Sequence, residues 1–132
     1  MNERKKILVV DDDRECLEFA KAVLVHEGYE VVTATDGRDG MEKARSECPD
    51  LIILDVLMPE QDGWDTCDNL RSEQEFRFVP IVYLTCVEGP KSLYTSHGAF
   101  ETDWDEYLTK PVVPKNLVAV VKRLLEKSMA LG

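Results

Sequence analysis

Polar residues able to do chemistry stand where short apolar runs end. Asp11-Asp12-Asp13 follows Ile7-Leu8-Val9-Val10, Asp55 follows Leu51-Ile52-Ile53-Leu54, Thr85 follows Ile81-Val82-Tyr83-Leu84, and Lys110 follows Tyr107-Leu108-Thr109. These residue types suit phosphoryl chemistry if a fold brings them together. The Asp55 carboxylate can attack phosphorus as nucleophile, the Lys110 ammonium can neutralise developing oxygen charge, and the Thr85 hydroxyl can afterwards bond a phosphoryl oxygen. The bland alternative is that Asp55 merely caps a strand or a turn, as a lone Asp-x-x-x-Pro commonly does.

The elements that must position these residues can be read from the hydrophobic pattern. Ile7-Leu8-Val9-Val10 suits a central parallel strand. A helix is expected over 14–27, with Asp13 as N-cap, Leu17, Ala20 and Leu24 on one face and Gly28 as its stop. A second strand is expected over 30–35. Asp36-Gly37 then opens a helix ending near Cys48-Pro49, with Met41, Ala44 and Cys48 sharing a face.

The run ending on Asp55 reads as a buried strand that delivers this carboxylate, exposed, to a loop containing Pro59, Asp62 and Gly63. Further helices are expected over 63–72, 91–96 and from Pro114, the last with Leu117, Val121, Leu124 and Leu125 inward. Strands are expected over 79–84 and 106–109, with Pro80 tolerable near a strand start.

This β-α alternation predicts an α/β fold, a five-stranded parallel sheet wound on both faces by helices through right-handed crossovers. With the doubly wound order 2-1-3-4-5, the flavodoxin-like arrangement, the first and third strands lie side by side. Asp11 and Asp12 then meet Asp55 at the carboxyl ends of the strands, where such sheets bind ligands. Carboxylates gathered there repel one another unless a cation sits between them. Oxygen-only donors with room for water suit Mg²⁺. A transition metal would call for His or Cys, and His26 and His97 lie elsewhere in the chain.

Composition narrows the function classes. The 132 residues suit one domain over 1–132. A formal net charge of −10 argues against nucleic acid as a direct ligand and favours cations and basic partner patches. No run is long enough for a transmembrane helix and no signal-peptide core is present, so no membrane partner and a cytoplasmic location are expected. Cys16, Cys48, Cys67 and Cys86 form no Cys-x-x-Cys pair and read as buried free thiols, Cys86 included despite its place beside Thr85. Trp64 and Trp104 are assigned no function.

The ordered motifs Leu8-Val9-Val10-Asp11-Asp12-Asp13, Leu54-Asp55-Val56-Leu57-Met58-Pro59 with Asp62-Gly63, Leu84-Thr85, and Tyr107-Leu108-Thr109-Lys110-Pro111 span nearly the whole chain. In this the sequence resembles the response-regulator receiver domains of two-component signalling. The resemblance implies a phosphorelay protein that is not itself an enzyme acting on a separate substrate. Asp55 would be the phosphoacceptor. Asp12, Asp55 and the Leu57 carbonyl would hold Mg²⁺, with Asp11 acting through a metal-bound water. Lys110 would contact the phosphoryl group, Thr85 and Tyr107 would form the paired switch, and the Lys110-Pro111 bond would be cis.

The implied partners are a histidine kinase or histidine phosphotransfer protein and a downstream protein. The sequence leaves open a homodimer through the fourth helix, last strand and last helix. The methionine start and the end soon after the last helix suit an independent domain.

Two departures from the family pattern stand out. Leu57 and Val87, each two residues beyond a site residue, are apolar where family members can carry polar side chains that orient the attacking water. The aspartyl phosphate is therefore expected to hydrolyse slowly. The 88–105 segment is also longer than usual. Two rival readings are an unphosphorylated scaffolding receiver and a haloacid-dehalogenase-like phosphohydrolase. The second expects Asp-x-Asp-x-Thr/Val, which neither acidic motif supplies.

Overall fold

The computed structural model describes residues 4–55, 72, 73, 76, 79–85, 105–109 and 112–131. Along the chain run β1 (Lys6–Val10), α1 (Arg14–His26), β2 (Glu30–Ala34), α2 (Gly37–Glu47), β3 (Leu51–Asp55), β4 (Ile81–Thr85), β5 (Asp105–Thr109) and α3 (Pro114–Leu131). Except for Ser72, the helix expected over 63–72 lies outside the described residues, and that over 91–96 does so entirely.

Among the described residues the sheet has five strands in the order β2-β1-β3-β4-β5, as expected from the β-α alternation and the doubly wound arrangement. Every neighbouring pair is parallel. Side-chain alternation explains why β1, β3 and β4 are apolar along 7–10, 51–54 and 81–84: both of their faces are covered. Ile7, Val9, Leu51, Ile53, Val82 and Leu84 pack beneath α1 and α3. Leu8, Val10, Ile52, Leu54, Ile81 and Tyr83 pack on the opposite face with Met41 and Ala44 of α2.

Each helix starts and stops for a local reason. Asp13, extended at φ −86°, accepts from the backbone N–H groups of Glu15 (3.0 Å) and Cys16 (3.5 Å), so two of the first free donors of α1 are satisfied. The helix ends at His26, one residue before the expected limit. Gly28 follows at φ 97°, a conformation that glycine adopts without strain. Leu17, Ala20 and Leu24 form its buried stripe.

Asp36 caps α2 by accepting from the Asp39 N–H at 2.7 Å. Where the sequence suggested a shared face for Met41, Ala44 and Cys48, only the first two are buried. Cys48 is the left-handed C-cap at φ 49° and is exposed. The αL residue that ends the helix turns its side chain off the buried stripe. The expectation of buried thiols is therefore corrected: Cys48 is exposed and Cys16 only partly buried, while Cys67 and Cys86 lie outside the described residues.

Pro114 opens α3, where a missing N–H leaves no helical bond unmade. Leu117, Val120, Val121, Leu124 and Leu125 recur at i, i+3, i+4, i+7 and i+8 and are all buried. Burial of each such leucine contributes roughly 1.5–3 kcal/mol. At the amino ends of the strands, Lys6 ties three elements together. Its N–H donates to Asp50 Oδ2 (2.8 Å), and its Nζ reaches Glu47 (3.0 Å) and Glu30 (3.3 Å). No described helix is long and apolar enough to cross a membrane.

Candidate functional site

At the opposite, carboxyl end of the sheet, β1 and β3 lie side by side with Val10 in register with Leu54. The next residue of each strand is an aspartate, so register alone makes Asp11 and Asp55 neighbours. One carboxylate oxygen from each of Asp11, Asp12 and Asp55 falls within 4.8 Å of the other two. The predicted convergence of these three carboxylates is thus present.

Asp11 is held from two sides. Its N–H donates to the Ala34 carbonyl at 3.1 Å, extending the β1–β2 ladder by one step, and its Oδ1 accepts from the Asp13 N–H at 2.9 Å. This second bond is an Asx turn, by which a short side chain folds the backbone following a strand. Asp13 then caps α1, so Asp11 and Asp13 hold the backbone on either side of Asp12. Asp12 itself is exposed, whereas Asp11 is fully buried.

Asp55 differs from its expected exposure: only 5% of it is accessible. Its strand is central, flanked by β1 and β4, so Asp55 is walled on both sides even though it is the last residue of β3. The sequence reading missed both this burial and the Asx turn. The Asp11-x-Asp13 spacing was the signal available for the turn.

Three carboxylates so close repel one another by on the order of 3 kcal/mol per ionised pair at an effective dielectric near 20. A hard cation with oxygen preference removes that penalty, and a donor set made only of carboxylates fits Mg²⁺ or a similar ion. The residues present therefore fit the ion the family implies.

The other predicted site residues are placed by backbone alone or not described. Asp55 is in register with Leu84, so Thr85 stands one residue further along the neighbouring strand. Thr85 is in register with Thr109, and Tyr107 with Tyr83. Lys110 and Leu57 lie outside the described residues, as do Pro111, Val87, Trp64 and Trp104.

A doubly wound sheet with an acidic cluster at the carboxyl end of β1 and β3 defines a class, and comparison with known proteins agrees. The response regulator receiver domain family matches residues 7–122, and the chain belongs to that family. It is similar to the Bacillus subtilis alkaline phosphatase synthesis transcriptional regulatory protein PhoP, at 43% identity over 94% of this chain and 50% of that protein.

Among solved structures, the chemotaxis protein CheY4 of Vibrio cholerae superposes with a TM-score of 0.84 at 31% identity, covering 92% of this chain and 99% of that one. The signal receiver domain of a signal transduction histidine kinase from Syntrophus aciditrophicus gives 0.81 at 34% identity, covering 93% and 91%. The chain spans about half the length of the curated relatives it matches. It is a receiver domain of the two-component response-regulator type.

Proposed function

We propose that residues 1–132 act as a single receiver domain whose phosphoryl acceptor is Asp55. The supporting observation is the convergence of Asp11, Asp12 and Asp55 within 4.8 Å at the carboxyl end of the sheet. The donor would be a phosphohistidine on a histidine kinase or phosphotransfer protein. An Asp55 carboxylate oxygen forms the new O–P bond as the P–N bond to imidazole breaks, and the departing imidazole takes up a proton. Mg²⁺, when bound, would supply neutralisation of charge on the phosphoryl oxygens. Asp12, Asp55 and the Leu57 carbonyl would hold it, with Asp11 acting through water.

Asp13 positions this chemistry: its N–H donates to Asp11 Oδ1, and that bond fixes the turn carrying Asp12. Lys110 would neutralise phosphoryl charge from the end of β5. Thr85 would bond a phosphoryl oxygen after transfer and, with Tyr107, move between two arrangements. A phosphoryl group adds nearly two negative charges, and only the arrangement that satisfies its oxygens gains population. Output then follows from altered protein contacts, with the domain acting on no separate substrate and binding no nucleic acid directly. The resulting phosphorelay would operate in the cytoplasm.

The test is intact-mass analysis after incubation with acetyl phosphate and Mg²⁺, in wild type and Asp55→Asn. The wild type is expected to gain the mass of one HPO3 group, and only with the metal present. No gain in folded wild type would support the scaffolding reading, and equal gain in the variant would move the acceptor elsewhere.

A further inference from the structure

Asp13 lies just outside the acidic donor set and bonds in two directions. Toward the cluster, its N–H donates to Asp11 Oδ1 at 2.9 Å, which engages one of the two Asp11 oxygens. Toward α1, its Oδ1 accepts from the Glu15 and Cys16 N–H groups at 3.0 and 3.5 Å, and its carbonyl accepts from the Leu17 N–H at 2.9 Å. Leu17 begins the buried stripe of the helix. A single residue thus joins the acidic cluster to the anchored start of α1.

Asp12 depends on this junction more than its two neighbours do. Burial fixes Asp11, and Asp55 ends a strand walled by β1 and β4. Asp12 is exposed, and its backbone is held between the Asp11 bond to Ala34 on one side and the capped helix start on the other. An ion that needs all three carboxylates together must bind to that segment in one arrangement. A turn already formed removes this ordering cost from binding.

We infer that Asp13 is a positioning residue for the ion at the acidic cluster, and that its capping links ion occupancy to the first turn of α1. The inference rests on the ion-binding reading of Asp11, Asp12 and Asp55, and adds to it a residue outside the donor set and a helix end that responds to the ion. By reciprocity, whatever factor the formed cap adds to ion affinity, the bound ion adds to the stability of the cap. A cap that merely starts a helix would be indifferent to the ion. Asp13 also carries charge, which alone would draw a cation. Asn separates the two contributions: it is neutral and caps about as well as Asp, whereas Ala is neutral and caps poorly.

The test joins Mg²⁺ titration calorimetry on wild type, Asp13→Asn and Asp13→Ala to amide exchange of the wild type with and without the ion. The Ala variant should bind roughly three- to tenfold more weakly than the Asn variant. In wild type, saturating Mg²⁺ should slow exchange at Glu15 and Cys16 by a similar factor. The Asp39 N–H, capped by Asp36 at 2.7 Å, is the control and should keep its rate. Equal affinity of the two folded variants would overturn the inference while leaving the ion site standing. So would wild-type exchange at Glu15 and Cys16 that Mg²⁺ leaves unchanged, or slowing that Asp39 shares equally, and these decide the matter even where Asp13→Ala fails to fold. Wild type that binds no Mg²⁺ would overturn the ion site and the inference together.

Discussion

Single residues carry both the site's chemistry and its persistence. Asp55 and Asp11 are buried and Asp12 is exposed, so the acidic cluster has one solvent-exposed member and two held within the fold. In the proposed phosphorylated state, lifetime would depend on Leu57 and Val87. With both apolar, nothing from these positions orients an attacking water, and hydrolysis is expected to be slow. Replacing Leu57 by Asn together with Val87 by Glu should raise the dephosphorylation rate by about tenfold or more, read by loss of phosphoprotein mass with time. An unchanged rate would remove water orientation from the account.

At the scale of elements, α2 shows how closely packing and conformation are set. A Cβ added at Gly40 would lie 2.9 Å from Val10 Cγ2, and Val10 is buried immediately before Asp11. Gly40→Ala gains about 1 kcal/mol of helix propensity but overpacks the contact by about 1–3 kcal/mol. A net loss of about 1 kcal/mol is expected in urea unfolding, and a gain would show that α2 can shift freely against β1. The other end of α2 predicts the opposite sign. Cys48 holds a left-handed conformation at φ 49°, which costs a non-glycine residue about 1 kcal/mol, and its side chain is exposed. Cys48→Gly should therefore stabilise the protein by about 0.5–1 kcal/mol in the same measurement.

For the whole molecule, an ion bound at the acidic cluster would couple folding to ion binding. Without a cation the folded state holds three carboxylates within 4.8 Å that the unfolded chain separates. Mg²⁺ at a hundred times its Kd should add about 2.7 kcal/mol to unfolding free energy. Asp12→Asn relieves repulsion and removes a metal donor. It should melt at higher temperature than wild type in chelator and gain less from Mg²⁺. A variant that melts lower in chelator while still responding fully to Mg²⁺ would show that Asp12 has no part in the ion site.

Strand positions and the candidate acceptor were legible in the sequence because both depend on local pattern, and strand order followed from the doubly wound class that the β-α alternation implies. Uninterrupted apolar runs mark strands covered on two faces, and each run ends on a polar residue. The caps Asp13 and Gly28 were equally local, since a helix end needs its partner within a few residues. Tertiary structure alone decided how deep Asp55 sits, since its burial depends on β1 and β4, distant in the chain and adjacent in the sheet. It also decided that Cys48 faces outward, because a left-handed cap breaks the helical period on which face prediction relies. The bond from Lys43 of α2 to the Thr33 carbonyl at 2.6 Å has the same origin: burial and long-range hydrogen bonds follow from where elements come to rest, and periodicity carries no record of that.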